Sequence, residues 1–352
     1  MRINTHRASR AVSLLLAVLM LLTVLTAPAA AANRSNVKHY DTYMCIGDSI
    51  AAGYTVSGEQ GNFYRTRVTN AYHDIIATAT GAELNQFGWS AFRSVELRYM
   101  LEGVLNQPDT VWTENFNSLV NTDLLDRNRE DYINAIKESD LITVNLGSND
   151  VMSYAMTKTM KLLENSSDCE LAAMVKECMR SSGDLGTKFV KLLDTAEKAG
   201  KLPLVLASLN PTFMKAIAYF KANFTACIKG IYELNPDVDL VVVGVYNPMT
   251  NLTLTENGNL KLAPIVQPTV DLLNQFLKSG CIYSDHYRFA PVPKVETWKF
   301  SVLGKDFRSQ ILWAVHPTVN GHSYMADQIL SVLPPENTRK PFSWLHDLFT
   351  RP

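Results

Sequence analysis

The sequence predicts an α/β fold with a mainly parallel sheet. Apolar and β-branched runs of strand length alternate along the chain with stretches whose apolar residues recur at the helical period, and this alternation is typical of βαβ units. The chain has 352 residues, of which 47% are hydrophobic, so it can bury a full core. It has no internal repeat and no linker rich in proline, glycine or serine. These features favour one domain with insertions over several domains.

Short stretches that contain apolar or β-branched residues predict five strands. The first and the third each end at a polar turn that contains glycine, and the last is rich in valine. The predicted strands are Thr42–Ile46, Leu84–Phe87, Leu141–Leu146, Leu202–Ala207 and Leu240–Val245.

Longer stretches with helical periodicity predict the helices. These are Arg65–Ala79, Ser94–Leu105, Ser182–Ala199, Pro211–Leu234, Val266–Lys278 and Gly321–Leu333. Two stretches, Glu102–Glu130 and Met152–Arg180, stand between the core elements. We expect both to be insertions that cover the functional site.

The first 32 residues have the pattern of a secretory signal peptide. Three arginines within the first ten residues form a positive segment, Ala11–Leu25 is apolar, and Thr26–Ala32 is rich in small residues with Ala-x-Ala matches. An uncleaved anchor is the alternative, but the apolar run is short for a bilayer span. We therefore expect residues 1–32 to be removed, residues 33–352 to form one secreted domain, and no stable membrane span to remain.

The charge balance argues against one class of partner. The formal net charge is −1, and loss of the leader removes three arginines and no acidic residue. A mildly acidic surface is unfavourable for binding nucleic acid. Neither a Cys-x-x-Cys pair nor a matching histidine spacing supports a metal site, so we expect no metal or organic cofactor.

The five cysteines predict two disulfides and a free thiol. Because their number is odd, at least one is free or pairs between chains. Cys45 lies in the first predicted strand and is expected to be a buried free thiol. In an exported chain, we expect a local disulfide between Cys169 and Cys178 and a longer one between Cys227 and Cys281.

Ser49 is the candidate nucleophile. It follows the first predicted strand in the run Gly47-Asp48-Ser49, and small residues after it would let a helix begin close to the sheet. Such a helix start would offer a backbone N–H and a favourable dipole to an oxyanion, and Asp48 is expected to brace the turn with its side chain. A capping Asp-Ser at an ordinary junction between strand and helix is the alternative interpretation.

Two later motifs supply an oxyanion donor and a base. Asn149, in Gly147-Ser148-Asn149-Asp150 after the third predicted strand, carries an amide that can donate to the same oxyanion. His316 precedes a proline at the start of the last predicted helix, where it can act as general base. His322 is the alternative base, but it is expected to pack or cap inside the start of that helix.

The three motifs together resemble the SGNH (GDSL-type) hydrolase superfamily. Gly47-Asp48-Ser49, Gly147-x-Asn149-Asp150 and His316-Pro317-Thr318-x-x-Gly321-His322 occur in the family's order and span most of the mature chain. The resemblance implies a flavodoxin-like three-layer α/β/α fold and ester hydrolysis through an acyl-serine intermediate. It also implies that Ser49 is the nucleophile and an oxyanion N–H donor, Asn149 the side-chain oxyanion donor, and His316 the general base.

The oxyanion hole departs from the family pattern at one position. The family has a glycine there whose N–H completes the hole, whereas this chain aligns best with Ala91, and Gly88 is the alternative donor. Only the backbone N–H is required, so alanine can substitute if its φ is allowed.

The second departure concerns the residue that orients the base. The family usually has an aspartate three residues before the histidine, and here that residue is Trp313. The backbone carbonyl of Trp313 can accept the Nδ1–H of His316 and fix its tautomer, although it lacks the charge of a carboxylate. Asp306 or Asp285 reaching in from a loop is the alternative.

We therefore expect a secreted serine esterase or lipase with a Ser-His dyad, acting on a small-molecule or lipid ester. The stretches Val111–Phe116 and Met152–Met160 can line an acyl pocket, which favours lipid or short acyl esters, although such side chains are more often core. A carbohydrate O-acetylesterase is one alternative. The other is an extracellular binding module that has kept the fold and lost turnover, with Trp313 as its support.

Overall fold

A computed structural model describes residues 37–56, 65–103, 122–183, 185–253, 262–280, 284–298, 300–301 and 315–336. The strands within these ranges are β1 (Thr42–Gly47), β2 (Glu83–Gly88), β3 (Leu141–Asn145), β4 (Asp239–Val243), β5 (Leu252–Thr253), β6 (Tyr287–Ala290) and β7 (Phe300–Ser301). Five of them form the main sheet, and β5 pairs with β7 in a separate small one.

All neighbouring strands of the main sheet are parallel, in the order β2-β1-β3-β4-β6. This is the flavodoxin-like order of a doubly wound sheet, which confirms the predicted fold class. Gly47 lies opposite both Gly88 and Asn145, so the carboxyl ends of β1, β2 and β3 are level at one edge. The strand order reverses between β1 and β3, and ligands of such folds bind in the crevice at that point.

Helices cover both faces of the sheet. Within the described ranges they are α1 (Tyr72–Thr80), α2 (Ser94–Glu102), α3 (Thr122–Glu138), α4 (Ser148–Glu164), α5 (Cys169–Arg180), α6 (Leu185–Lys198), α7 (Leu202–Leu234), α8 (Ala263–Ser279) and α9 (Val319–Val332). α1 packs against α9, whereas α7 packs against α2, α4 and α8. Because crossovers between parallel strands are right-handed, these two groups lie on opposite faces, as the predicted three layers require.

One predicted strand is wrong. Leu202–Ala207 forms the first turns of α7, a helix of 33 residues. A short apolar run fits a buried strand and a buried helix equally well, and here the buried positions continue at helical spacing through Val205, Leu209 and Phe213. Pro203 lies in the first turn, where a helix tolerates proline because the N–H there has no partner within the helix.

The edge strand β6 was not predicted from the sequence, and α1 is shorter than the predicted helix Arg65–Ala79. β6 has only four residues, and its two central residues, Arg288 and Phe289, are half-buried, so it lacks the alternation of a strand. α1 begins at Tyr72 rather than Arg65, since Asn70 adopts a positive φ of 67° and a turn closes from Ala71 N–H to the Val68 carbonyl.

The second predicted insertion is helical. The stretch Met152–Arg180 contains most of α4 and all of α5, which together with α6 lengthen the connection from β3 to α7. Residues 104–121 of the first predicted insertion lie outside the described residues, and α3 begins directly after them.

The predicted disulfide between Cys169 and Cys178 is wrong. Both residues lie on α5, nine positions apart, which places them on opposite sides of the helix. Cys169 is exposed and Cys178 is buried, and each carries a free thiol. Cys45 is buried and free, as predicted, and Cys227 is a buried free thiol whose Sγ lies 3.3 Å from the Ser94 carbonyl oxygen.

Several predictions fall on residues outside the described ranges. These include the leader, Val111–Phe116, Cys281, Asp306 and Trp313. The described residues divide into a main unit, 39–332, and a small unit in which Val37 forms an antiparallel bridge with Pro335. In the part of the chain that the structure describes, no helix is both long and apolar enough to cross a bilayer.

Candidate active site

The end of β1 packs closely against its two neighbouring strands. A Cβ atom on Gly47 would lie 2.5 Å from the Asn145 carbonyl oxygen, and one on Gly88 would collide with the backbone of Ala51 and Ala52. Only glycine therefore lets the turn after β1 sit against β2 and β3 at this height. This close packing holds the residues that follow Gly47 at the reversal point of the sheet.

Ser49 and His316 meet at this edge. The Nε2 atom of His316 lies 2.8 Å from the Oγ atom of Ser49, which is the hydrogen-bond distance expected of a nucleophile and its base. Ser49 is half-buried whereas His316 is buried. The hydroxyl is therefore the more accessible group of the pair.

The helix predicted to begin at Ser49 stops after one turn. The Ala52 N–H donates to the Asp48 carbonyl, and the Tyr54 N–H then closes the turn on the Ser49 carbonyl. Gly53 and Thr55 adopt positive φ values of 86° and 71°, which a right-handed helix does not allow. We refer to residues 49–56 as the nucleophile loop.

Two buried histidines hold the nucleophile loop. His322 accepts a hydrogen bond from the Tyr72 N–H at its Nδ1, so its Nε2 carries the proton and donates to the Tyr54 carbonyl 3.1 Å away. His73 likewise accepts from the Val68 N–H and donates from Nδ1 to the Ala51 carbonyl at 2.8 Å. Burial lowers the pKa of His322 to about 3 and that of His73 to about 4, so both are neutral at pH 7. His322 thus packs inside the protein, as predicted.

Asp48 braces the turn as predicted. Its Oδ1 accepts from the Ile50 N–H at 2.9 Å, and its Oδ2 accepts from the Asn149 side-chain amide at 3.1 Å. Burial raises the pKa of Asp48 to about 7, an effect opposed by the Ile50 N–H. The carboxyl group therefore ties the nucleophile loop to the start of α4.

Asn149 lies in the first turn of α4, which begins after Gly147. Gly147 has a φ of 121°, and a Cβ there would lie 3.1 Å from the Phe220 ring. The Asn149 amide nitrogen also lies 3.5 Å from the Phe92 carbonyl oxygen, which is at the limit of a hydrogen bond. The half-buried amide is thus held on one side by Asp48 and only loosely on the other.

The neighbouring Asp150 is an anchor between two segments of the site. Its carboxylate accepts hydrogen bonds from the backbone N–H and the hydroxyl of Ser94, at the start of α2. Burial raises the pKa of Asp150 to about 6, although the Ser94 hydrogen bonds oppose the change. This contact fixes the turn that carries Ala91 relative to α4.

Ala91 adopts a φ of 64°. The Phe92 N–H donates to the Trp89 carbonyl at 2.9 Å, so residues 89–92 form a turn with its positive φ at the third position, as in a type II turn. Glycine is the usual residue there. Gly88, the alternative donor, is the last residue of β2 and packs against the nucleophile loop.

His316 is held by side chains from several elements. The Tyr246 hydroxyl donates to the Val315 carbonyl at 2.7 Å, and the Thr55 hydroxyl donates to the Pro317 carbonyl. Pro317 also forms a bridge with Thr297. Thr318 caps α9, because its Oγ1 accepts from the Gly321 N–H at 3.1 Å.

The alternative that Asp285 orients His316 is wrong. Asp285 is exposed in the turn before β6, at the amino end of that strand, whereas His316 lies beyond the carboxyl ends. Trp313 and Asp306 lie outside the described residues, so their roles stay predictions.

The sequence patterns did not indicate the residues that support the base. Tyr54, Thr55 and Tyr246 contact the segment that carries His316, yet they lie far from it in the chain. Among the described residues, no group of three histidine, cysteine or acidic side chains is arranged to hold a metal ion.

Comparison with known proteins identifies a family. The family model described as GDSL-like lipase/acylhydrolase matches residues 43–329. No curated protein sequence matches the chain.

Several solved structures are similar to the chain at low sequence identity. An extracellular lipase from Streptomyces rimosus is 17% identical, with a TM-score of 0.46 over 83% of this chain and 98% of that chain. Phospholipase A1 from Streptomyces albidoflavus is 13% identical, with a TM-score of 0.44 over 83% and 98% of the two chains. A family two carbohydrate esterase from Clostridium thermocellum is 14% identical, with a TM-score of 0.37 over 84% and 64%.

Proposed function

The chain belongs to the GDSL-like lipase/acylhydrolase family, and we propose that it is a secreted serine hydrolase of carboxylic esters with a Ser-His dyad. The observation that carries the proposal is the 2.8 Å separation between His316 Nε2 and Ser49 Oγ. Secretion is proposed from the leader pattern of residues 1–32.

The reaction begins at Ser49. Its Oγ attacks the ester carbonyl carbon while His316 Nε2 takes the hydroxyl proton. The tetrahedral intermediate then collapses, and the same nitrogen returns the proton to the oxygen of the leaving alcohol. A water molecule repeats the two steps on the acyl-serine and releases the carboxylic acid with Ser49 regenerated.

The oxyanion accepts hydrogen bonds from three donors in this proposal: the backbone N–H groups of Ser49 and Ala91 and the side-chain amide of Asn149. Hydrogen bonds connect the segments that carry these donors. Asp48, next to Ser49, accepts from Asn149, and Asp150, next to Asn149, accepts from Ser94 just after Ala91. The hydrogen bond to Asp48 uses one N–H of Asn149 and fixes the amide, and the second N–H, which reaches the Phe92 carbonyl only at 3.5 Å, is left to donate to the oxyanion. Donors fixed before the reaction stabilise the developing charge without reorganisation.

Lipid or short-chain acyl esters are the proposed substrates. The support is the apolar and aromatic side chains of the stretches Val111–Phe116 and Met152–Met160. In the second stretch, Met152 and Met156 are half-buried on α4, two turns or less from Asn149. No cofactor takes part in these steps.

The test is hydrolysis of esters with acyl chains from acetyl to palmitoyl by the purified mature chain. We expect turnover that Ser49→Ala lowers by about 10⁵-fold or more, while Ser331→Ala, an exposed serine on α9, keeps wild-type rates. Ser49 should also be labelled by a fluorophosphonate.

Two outcomes would change the conclusion. Turnover confined to acetylated sugars would make the protein a carbohydrate O-acetylesterase. The absence of both turnover and fluorophosphonate labelling in the wild type would overturn the enzyme proposal and favour a binding module.

A further inference from the structure

Tyr54 and Thr55 contact the residues on which the base depends. They belong to the nucleophile loop and follow Ser49 by five and six positions. Tyr54 faces His316, and Thr55 bonds to Pro317, the next residue along. The loop that carries the proposed nucleophile therefore also contacts the segment that carries the proposed base. We call this pair the Tyr54–Thr55 clamp.

The Tyr54 ring is stacked on the His316 imidazole. The ring centroids are 5.1 Å apart and the planes are inclined by 26°. Tyr54 is only 8% exposed, so the contact is shielded from water. The face of an aromatic ring attracts a cation, and the attraction grows when the pair is desolvated. The stacked ring therefore favours the imidazolium, which forms when the base accepts a proton.

Thr55 holds a conformation that its side chain opposes. Its φ is 71°, in the left-handed region that a β-branched residue rarely adopts. In this conformation the hydroxyl donates to the Pro317 carbonyl. Residues in such conformations persist when the surroundings fix them, and they are concentrated at functional sites. A glycine would meet the backbone requirement with less strain, but it would lack the hydroxyl.

The backbone of the clamp is held by contacts with α9 and with the segment before α1. His322 donates to the Tyr54 carbonyl at 3.1 Å, and Gly53, with a φ of 86°, packs its backbone against Val68 and Ala71. The Tyr54 backbone is therefore fixed by contacts that do not involve His316. A ring mounted on a fixed backbone can define the plane of the imidazole that it stacks on.

We propose that Tyr54 and Thr55 are positioning residues, which orient His316 toward Ser49 and stabilise its charged form where this chain has Trp313 in place of the family's aspartate. This inference rests on the proposed function and extends it. The Thr55 hydroxyl fixes the position of the His316-Pro317 segment. The Tyr54 ring fixes the plane of the His316 imidazole and stabilises its protonated form.

The ring is tested with Tyr54→Leu against Tyr54→Phe. Leucine removes the aromatic face, and we expect kcat to fall about tenfold with KM unchanged, because the loss is confined to the charged state of the base. Phenylalanine keeps the face and should restore most of the activity. Thermal unfolding of both variants shows whether either change acts through the fold.

The hydroxyl is tested with Thr55→Gly against Thr55→Ser. Glycine removes the strain together with the hydrogen bond, so we expect unchanged or higher thermal stability and a kcat about fivefold to tenfold lower. Serine keeps the hydroxyl and should retain activity. Asn70→Gly is the matched control, since Asn70 is exposed and has a φ of 67° away from the site; it should leave kcat unchanged.

The results separate the clamp from the proposed function. If the wild type hydrolyses esters and Tyr54→Leu and Thr55→Gly both keep its kcat, the clamp is overturned and the esterase proposal stands. The clamp is also overturned if each variant loses activity only in proportion to lost stability, or if Tyr54→Phe falls as far as Tyr54→Leu. If the wild type neither turns over esters nor reacts with a fluorophosphonate, the proposed function fails first, and the clamp fails with it.

Discussion

The two halves of the candidate site are held by different kinds of contact. On the serine side, Ser49, Ala91 and Asn149 each lie within four residues of the end of β1, β2 or β3, and the aligned register of these strands sets their places. On the histidine side, His316 is fixed by side chains from remote parts of the chain. Those contacts come from Tyr54, Thr55 and Tyr246.

The two kinds of contact differ in how easily a substitution can disturb them. A group placed by strand ends moves only if the sheet moves, so the serine half is as stable as the core. A group held by individual side chains can be displaced by a single substitution while the sheet stays intact. We therefore expect changes on the serine side to affect either chemistry or stability according to the bond removed, and changes on the histidine side to lower activity without lowering stability.

Apart from loss of the nucleophile itself, the largest effect on the serine side is expected for Asn149→Ala. Loss of one preorganised oxyanion donor lowers kcat by about 10²–10³-fold, whereas KM should change little because the donor acts mainly in the transition state. Steady-state kinetics on the best ester measures both. Asn165→Ala, an exposed residue at the other end of α4, should behave like the wild type. A loss of less than tenfold for Asn149→Ala would show that its amide is not part of the oxyanion hole.

An intermediate effect is expected on the pH dependence of the free energy of unfolding. The buried aspartates and the buried histidines change it in opposite directions. The pKa values of Asp48 and Asp150 are raised from 3.8 to about 7 and about 6, so between pH 4 and 6 the folded state holds protons that the unfolded state has lost. Their contribution to stability therefore falls as pH rises through this window. His73 and His322 have pKa values lowered from 6.5 to about 4 and about 3, so their contribution rises over the same window.

Removing one carboxyl group should leave the histidines to dominate the pH dependence of the free energy of unfolding. In Asp150→Asn the amide can still accept from the Ser94 N–H and donate to its hydroxyl, so the fold is kept. We expect the free energy of unfolding of this variant to rise with pH more steeply than that of the wild type between pH 4 and 6, by about 1 kcal/mol per pH unit. Urea unfolding at several pH values measures the slope. Asp237→Asn, which alters an exposed carboxylate, is the control, and equal slopes in all three proteins would contradict the prediction.

The smallest effect is expected at Ala91 and has the opposite sign. Because alanine is strained at a φ of 64°, Ala91→Gly should raise the free energy of unfolding by about 1 kcal/mol. The backbone N–H is unchanged, so kcat should stay within about twofold. Ser90→Gly in the same turn has no strain to relieve and should destabilise the protein by about 0.5–1 kcal/mol. If Ala91→Gly were also destabilising, the strain at this turn would be absent.

The sequence predicted the serine half more completely than the histidine half. Four of the five main strands could be predicted, and β1 and β3 most clearly, because each of these two is an apolar run that ends at a polar turn. A residue at the end of such a run is placed at the sheet edge by local sequence alone, which is why Ser49 and Asn149 could be singled out. β6 could not, since its four residues include an arginine and it pairs only at the edge of the sheet.

The contacts around His316 could not be predicted from the sequence because they depend on tertiary closure. Thr55 and Pro317 are 262 positions apart, and nothing near either residue indicates the other. The positive φ of Thr55 is also hidden, because threonine is among the residues least expected there. The strand predicted at Leu202–Ala207 failed for a different reason: a short apolar run does not distinguish the start of a buried helix from a buried strand.

The bond between His316 and Ser49 joins residues 267 positions apart. A ribosome therefore adds Ser49 to the chain long before it reaches His316, and an unfinished chain has the proposed nucleophile without the proposed base. In the proposed mechanism both groups are needed, so ester hydrolysis would begin only once the chain is complete and its last helix has folded against the nucleophile loop.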